Sequence, residues 1–145
     1  MYTGQCPVRQ RRREGPEHKK LVKMAKGAEK IEFKPLMKKK ELAGWVAKAK
    51  GYLFPSMEPF GIAPVEALAA GCPVIAFREG GARDYVVNGK NGLLFEEQTA
   101  KSLAEAILKF EKMKFNREKV SKTAKKFAVD RFDKELMKFV NEKIK

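Results

Sequence analysis

The chain is poor in the residues that build disulfide frameworks and metal centres. Its 145 residues include two cysteines, Cys6 and Cys72, and one histidine, His18. Two cysteines so far apart favour a reducing compartment such as the cytoplasm over a disulfide-stapled secreted domain. One histidine with two distant cysteines is not a metal-ligand pattern, so we expect His18 to lie on the surface of a helix.

Long apolar runs are also missing. No stretch approaches the roughly 20 apolar residues that a membrane-spanning helix needs, and the first residues carry no apolar segment typical of a secretory signal. The hydrophobic fraction is nevertheless 43%, which is ordinary for a folded protein. The composition therefore predicts one globular domain with a real hydrophobic core.

Acidic residues are scarce, with 18 against 32 basic ones and a net charge of +14. The excess of positive charge lies in the two flanks, where residues 1–50 carry a net charge of +10 and residues 111–145 carry +6. Residues 51–110 carry −2. Basic flanks could attract nucleic acid or an anionic membrane surface. The simpler interpretation is lysine-rich helix faces in water, and the acidic middle argues against nucleic acid as a partner.

Apolar runs that alternate with amphipathic stretches predict an α/β fold, a parallel sheet with helices on both faces. The expected strands cover residues 31–33, 51–54, 73–77 and 92–95. The expected helices cover residues 15–28, 38–49, 62–70, 99–113 and 116–131, with a short turn at 82–87 and a last helix from Asp133. We expect the apolar side of each helix to be buried.

Three regions follow from this pattern. Residues 1–14 form an irregular basic N-terminus, residues 15–113 hold the strand–helix units, and residues 114–145 hold the C-terminal helices. The residues before the first helix make a poor central strand, so we expect the 15–113 domain to be incomplete on its N-terminal side.

The segment after the second expected strand carries the chemistry. The strand at residues 51–54 is followed by a loop that contains Glu58. This loop lies at the carboxyl ends of the strands, where α/β proteins bind ligands. The next helix begins at Gly61 and Ile62, and its free N–H groups favour phosphate or sugar oxygens. Glu66 lies about one turn inside it among small apolar residues, where a buried carboxylate needs partners such as ligand hydroxyls. Each glutamate has a plainer interpretation, as a helix-start acid or an exposed helix residue.

This segment resembles the signature of the retaining GT-B glycosyltransferases called glycosyl transferases group 1. Members carry E-P-F-G-x-x-x-x-E-A-x-A-x-G-x-P-V-I-A, and this chain reads E-P-F-G-I-A-P-V-E-A-L-A-A-G-C-P-V-I-A from Glu58 to Ala76. Residues 80–81 and 87–94 are similar to the family's later G-G and V-x-x-G-x-N-G-L-L patterns, and residues 15–17 to the end of its G-x-G-P-E turn. This combination, at the right spacings, is far more specific than two glutamates alone.

The resemblance implies a fold and a set of roles. The fold is the C-terminal, donor-nucleotide half of a GT-B enzyme, a Rossmann-like sheet followed by C-terminal helices. In such an enzyme Glu58 would contact the donor sugar near the reacting centre. Backbone N–H groups of Phe60, Gly61 and Ile62 would hold the sugar and the phosphates. Glu66 would bind the ribose hydroxyls.

The resemblance also implies where the nucleobase lies, which is against the backbone of Lys34, Pro35 and Leu36, with Gly15 in the turn before the first helix. Pro35 stands where the family commonly has glycine, and proline offers no N–H to a base. The family needs no metal or other cofactor, and its substrate is a nucleotide sugar such as GDP-mannose or UDP-glucose.

The implied reaction is transfer of a mannose- or glucose-type hexose to a glycan or lipid acceptor, with retention of configuration. Cell-surface polysaccharide or glycolipid synthesis, in the cytoplasm or at the membrane periphery, is a common assignment for such enzymes. The family's acceptor domain and its diphosphate-neutralising Arg and Lys have no counterpart in this sequence. We therefore expect the isolated chain to be inactive without an acceptor-domain partner. A non-catalytic nucleotide-sugar-binding module and a basic interaction module are the alternatives.

Overall fold

The computed structural model of the chain describes residues 15–28 and 30–144. The expected basic N-terminus, residues 1–14, lies outside the described residues. None of the described helices is long and apolar enough to cross a membrane. The elements are α1 (His18–Met24), α2 (Lys39–Lys48), β1 (Tyr52–Phe54), α3 (Ile62–Ala69), β2 (Val74–Phe77), α4 (Ala82–Tyr85), β3 (Gly92–Phe95), α5 (Ala100–Glu111), α6 (Arg117–Ala124), a 3₁₀ turn (Lys125–Phe127) and α7 (Val129–Lys143).

Within the described residues, three strands form one parallel sheet in the order β1-β2-β3. Tyr52 pairs with Val74 and Val74 pairs with Gly92, so the three strands run in register from one edge to the other. The central strand β2 is buried along most of its length, as is typical of parallel sheets covered on both faces. Because the carboxyl ends of the strands meet at one edge, the loop that carries Glu58 leaves the sheet there.

Helices cover both faces of the sheet. Val74 faces the side covered by α3, α4 and α6, where Leu68 and Val120 are fully buried. Ile75 faces the opposite side and packs with Phe110 of α5. The α/β fold expected from the sequence is therefore confirmed, with one hydrophobic cluster on each face of the sheet.

Several helix ends follow local sequence signals. The side chains of Thr99 and Asn116 each accept a hydrogen bond from the backbone N–H three residues later, at 3.2 and 2.9 Å, and so begin α5 and α6. Gly71 follows α3 with a φ of +77°, which favours glycine. A Cβ at Gly71 would also lie 2.9 Å from the carbonyl oxygen of Arg117, so this glycine permits the close approach of α6.

Two expectations about the first 50 residues are wrong. Residues 31–33 run as irregular chain rather than as a strand, since so short a segment needs a neighbouring strand to pair with. Phe33 instead packs edge-on against the ring of His18, with centroids 5.6 Å apart. The apolar side of α1 is exposed rather than buried, with Leu21 at 49% and Met24 at 73%.

The C-terminal helices also differ from the expectation. The helix expected to reach residue 131 ends at Ala124, and α7 begins at Val129 rather than at Asp133. Extended backbone at Ala128, with φ −67° and ψ 142°, separates the two helices. The apolar side of α7 was expected to be buried, but Phe139 is 58% exposed. The physical reason is that α6, and not α7, packs along α3.

Candidate functional site

The candidate site is built on the β1–α3 loop, residues 55–61, at the carboxyl end of β1. Phe54 anchors the start of this loop in the core at 7% exposure, and Gln98 donates a hydrogen bond from Nε2 to the Pro55 carbonyl oxygen at 2.8 Å. The side chain of Glu58 is exposed at this edge. The structure therefore places Glu58 where the sequence predicted it, in a loop whose ends are held.

Two glycines after β2 hold the middle of the loop. The N–H of Gly81 donates to the carbonyl oxygen of Glu58 at 2.9 Å. A Cβ at Gly80 would lie 2.5 Å from that same oxygen, and a Cβ at Gly81 would lie 2.5 Å from the carbonyl oxygen of Pro59. The Gly80-Gly81 turn thus touches the loop backbone directly, and a side chain at either position would push the loop away.

Gly61 begins α3 and is buried, with a φ of +81°. The sequence predicted that this glycine lets a ligand approach the backbone. The structure gives it a different requirement, because a Cβ there would lie 2.6 Å from the Oη atom of Tyr85. Among the described residues no side chain caps the start of α3, so the first N–H groups of this helix and the positive end of its dipole favour an anion or a sugar oxygen.

Phe60 and Ile62 flank Gly61 and are 44% and 68% exposed. The ring of Phe60 packs edge-on against Phe127, at a centroid distance of 5.6 Å. The sequence predicted a role only for the backbone of Phe60. Its side chain ties the loop to the 3₁₀ turn after α6, which the sequence could not indicate because the two residues are 67 positions apart.

Tyr85 is a residue that sequence reasoning missed. Its ring packs edge-on against Phe60 and Phe127, at 6.2 Å from each centroid. The residue is 2% exposed, and within the described part of the chain its hydroxyl has no hydrogen-bond partner, an arrangement that costs about 1–3 kcal/mol. Burial, and then the negative charge of Glu58, raise the pKa of Tyr85 to about 12. The sequence signal that could have identified Tyr85 is its place one helical turn after the Gly80-Gly81 turn.

Glu66 was expected to be buried, and this expectation is wrong. The residue is exposed on α3, because the buried stripe of this helix runs through Pro64, Ala67 and Leu68. Its side chain borders a groove of about 770 Å³ between α3 and the C-terminal helices, and a second cavity of about 190 Å³ between α2 and α3. Phe60 and Ile62 line the larger groove too, so three of the predicted residues share one surface.

The predicted base-binding residues lie elsewhere on the described chain. Lys34 Nζ lies 4.8 Å above the ring of Trp45 in α2 and forms an ion pair with Glu32. Pro35 and Leu36 are exposed. Gly15 is also exposed, and its carbonyl oxygen accepts a hydrogen bond from the N–H of His18 at 2.9 Å. Neither cavity beside Glu66 includes residue 15 or residues 34–36.

The described residues contain no group of three or more His, Cys, Asp or Glu residues that could hold a metal ion. The chemistry available at the site therefore consists of a helix N-terminus, an exposed carboxylate at Glu58 and a second carboxylate at Glu66. This set suits binding of phosphate and sugar oxygens through N–H groups, and of hydroxyl groups through carboxylates.

Comparison with known proteins finds glycosyltransferases that are similar in sequence. A D-inositol 3-phosphate glycosyltransferase of an Arthrobacter species is 34% identical over 90 residues, which are 61% of this chain and 21% of that protein. The alpha-1,3/1,6-mannosyltransferase ALG2 of Dictyostelium discoideum is 41% identical over 78 residues, which are 54% of this chain and 18% of that protein. The matched part of the chain thus spans about a fifth of the length of these relatives.

The fold is similar to that of solved GT-B glycosyltransferases. Sucrose-phosphate synthase from Thermosynechococcus elongatus superimposes with a TM-score of 0.63 and 28% identity, over 81% of this chain and 30% of that one. The family described as Glycosyl transferases group 1 matches residues 11–127, which include the sheet, the β1–α3 loop and α6. The chain therefore belongs to the glycosyl transferases group 1 family.

Proposed function

We propose that this chain is the donor-nucleotide-binding part of a retaining hexosyltransferase. The observation that carries the proposal is the geometry of the β1–α3 loop. Its carboxylate at Glu58, the start of α3 at Gly61 and the exposed Glu66 follow one another along this loop and helix α3, beyond the carboxyl end of β1. A nucleotide sugar has a hydroxyl-rich ring, a diphosphate and a ribose, and these three parts match the three features in order.

Each residue has one role in this proposal. The Glu58 carboxylate accepts hydrogen bonds from hydroxyls of the donor sugar near the reacting carbon. Backbone N–H groups of Phe60, Gly61 and Ile62 hold the sugar and the phosphate oxygens, helped by the dipole of α3. The Glu66 carboxylate accepts hydrogen bonds from the two ribose hydroxyls, as charged acceptors do well in a partly enclosed groove.

The nucleobase lies, in this proposal, against the backbone of Lys34, Pro35 and Leu36, with Gly15 at the start of the same region. Pro35 withholds an N–H from the base, so the base is held by stacking and by the remaining backbone groups of the segment. Shifts of the amide resonances of Lys34 and Leu36 would report binding of the base, since Pro35 has no amide proton.

The reaction is transfer of a mannose- or glucose-type hexose, with retention of configuration, to a glycan or lipid acceptor. The name of one relative specifies D-inositol 3-phosphate and that of the other a mannosyl group, and both support transfer of a sugar. We expect no metal requirement, because the N–H donors at the start of α3 can stabilise the leaving diphosphate. A cytoplasmic or membrane-peripheral location is consistent with a soluble nucleotide-sugar donor.

An acceptor domain, in the same or a second polypeptide, completes the enzyme. Support comes from the apolar side chains that α1 and α7 leave exposed, such as Leu21, Met24, Phe132 and Phe139. A set of this kind, on helices at both ends of the described chain, is typical of a surface that another domain covers. Without that domain we expect donor binding but no transfer.

A basic interaction module is the second candidate function, and one observation favours it. A groove of about 870 Å³ at the amino edge of β3 is lined by four lysines, Lys90, Lys114, Lys119 and Lys122. Such a surface attracts anionic phospholipid headgroups. Binding to phosphatidylserine vesicles that weakens steeply with salt would favour this function, and retention of the chain in the supernatant at low salt would exclude it.

The proposed function is tested by two-dimensional NMR titration of the full chain with UDP-glucose, GDP-mannose, UDP and GDP, with free glucose as a control ligand. We expect amide shifts confined to residues 34–36 and 58–66, and stronger binding for one base than for the other. Shifts scattered over the lysine-rich surface would indicate electrostatic binding of any anion. Unchanged spectra at millimolar nucleotide sugar would contradict the proposal.

A further inference from the structure

The short helix α4, together with Gly81 just before it, contacts the β1–α3 loop at Glu58 and at Gly61. At the start of α4, the N–H of Gly81 donates to the carbonyl oxygen of Glu58 at 2.9 Å. At its end, the Oη atom of Tyr85 lies against Gly61, where it would be 2.6 Å from a Cβ. One rigid element therefore sets the position of Glu58 relative to the start of α3.

The ring of Tyr85 is fixed from two sides. Phe60 approaches it from the loop and Phe127 from the 3₁₀ turn, both edge-on, and the two phenylalanines also contact each other at 5.6 Å. Three mutually packed aromatic rings leave little freedom to any one of them. The phenol oxygen of Tyr85 is thus held at one place beneath the loop.

The hydroxyl at that place is a donor without an acceptor. Within the described residues it is the buried side-chain oxygen that lacks a hydrogen-bond partner, and the proton stays on it because the pKa of Tyr85 is raised to about 12. The nearby charge that contributes most to this shift is the carboxylate of Glu58. This donor lies against Gly61, three residues along the loop from Glu58, whose carboxylate has several lone pairs to offer.

We propose that Tyr85 is a positioning residue for Glu58, and that its hydroxyl donates a hydrogen bond to the Glu58 carboxylate when a nucleotide sugar binds. The inference rests on the proposed function, in which Glu58 faces the donor sugar. One carboxylate oxygen then accepts from Tyr85, and the other remains for the sugar hydroxyls. The buried hydroxyl has no partner in the ligand-free protein, within the described residues, which raises the free energy of that state. Its hydrogen bond to Glu58 lowers the free energy of the bound state, and so favours the loop conformation that binds the sugar.

The test is the Tyr85→Phe variant of the full chain, because it removes the hydroxyl and keeps the ring. We expect about tenfold weaker binding of the preferred nucleotide sugar in the NMR titration, as for loss of a hydrogen bond to a charged group. We also expect an equal or higher urea midpoint without ligand, since the variant removes a buried unpartnered donor. If Tyr85 acted through the packing of its ring alone, the variant would not lose affinity while keeping or gaining stability.

A double-mutant cycle with Glu58→Gln identifies the partner of the hydroxyl. If Tyr85 acts through Glu58, Tyr85→Phe changes affinity less than about twofold once Glu58 is already Gln. Glu105→Ala, at an exposed glutamate on α5, is the control, and its effect should add to that of Glu58→Gln. A tenfold loss from Tyr85→Phe that persists in the Glu58→Gln background would overturn the proposal, because the hydroxyl would then act on something else.

The other outcomes separate this inference from the proposed function. Equal affinity of the parent chain and Tyr85→Phe would refute the role of Tyr85 and leave the proposed function standing. A lower urea midpoint for Tyr85→Phe without ligand would also refute it, since the hydroxyl would already have a partner. No binding of any nucleotide sugar by the parent chain would refute the proposed function, and the role of Tyr85 with it.

Discussion

The middle of the chain and its two flanks use apolar residues in opposite ways. In the middle, which comprises the elements from β1 to α6, the side chains of Leu68, Val74, Ile75 and Val120 are all 0% exposed, and helices pack on both faces of the sheet. In the flanks, α1 and α7 leave comparable side chains in water, among them Phe139 at 58%. The middle therefore completes its own core, while the end helices leave large apolar side chains exposed to water.

The largest effect that can sharpen this comparison comes from a matched pair of Ile→Ala substitutions. Ile75 is 0% exposed in β2 and Ile144 is 79% exposed just after α7. We expect Ile75→Ala to lower the free energy of unfolding by about 2–5 kcal/mol through lost burial and a cavity. Ile144→Ala should change it by less than about 0.5 kcal/mol. Urea denaturation measures both, and equal losses would mean that α7 packs into the core in solution.

A matched pair of Gly→Ala substitutions makes the same comparison for the backbone. A Cβ at Gly81 would lie 2.5 Å from the Pro59 carbonyl oxygen, whereas at Gly44 in α2 nothing lies within 4 Å. We expect Gly81→Ala to cost about 1–3 kcal/mol, as overpacking does, and to shift the amide resonances of residues 58–61. Gly44→Ala should stabilise α2 by about 0.5–1 kcal/mol. Thermal unfolding reports both, and a neutral Gly81→Ala would show that the loop is not held as the structure indicates.

The third prediction concerns Glu66, which is exposed although its helix α3 packs against the sheet. We expect Glu66→Ala to weaken nucleotide-sugar binding by about 1–3 kcal/mol through the loss of charged hydrogen bonds, with little change in stability. Glu105→Ala is the matched control, because Glu105 is an exposed glutamate on α5, on the other face of the sheet. NMR titrations of both variants measure the affinities, and equal values would remove Glu66 from the site.

The fourth prediction is a pH dependence. Because the pKa of Tyr85 is raised to about 12 from 10.0, the unfolded chain loses this proton before the folded chain does. The stabilisation linked to Tyr85 is complete below pH 10 and declines as pH rises towards 12, by at most about 1.4 kcal/mol per pH unit. Tyr85→Phe should lack this part of the decline. Parallel slopes for both chains in urea titrations between pH 10 and 12 would place the tyrosine in water.

Local signals predicted most of the fold because their physics is local. An apolar run bounded by Pro55 or Pro73 indicates a buried strand, and a side-chain oxygen at Thr99 or Asn116 begins a helix whatever surrounds it. The strand at residues 31–33 and the late helix start at Asp133 failed for the opposite reason. A short strand needs a neighbour, and the boundary at Ala128 depends on how α6 packs against α3.

In the candidate site, too, the sequence predicted the local features and missed those that depend on packing between distant segments. The spacing of Glu58, Gly61 and Glu66 followed from the sequence, since the three residues lie on one loop and one helix. Their positions as predicted were right, but the burial of Glu66 was not, because the exposure of a helix residue depends on which side the core occupies. The contact of Tyr85 with Gly61 joins residues 24 positions apart, and no period in the sequence indicates it.

By itself the sequence determined the family, the parallel α/β pattern and the order of the chemical groups along the β1–α3 segment. Short-range interactions and a long specific motif are enough for that. Only the tertiary structure decided that Gly80 and Gly81 hold the backbone of the loop, that three aromatic rings meet beneath Gly61, and that the apolar sides of α1 and α7 remain in water. Those features depend on which surfaces meet in space, and packing between distant segments is a property of the whole chain rather than of any stretch of it.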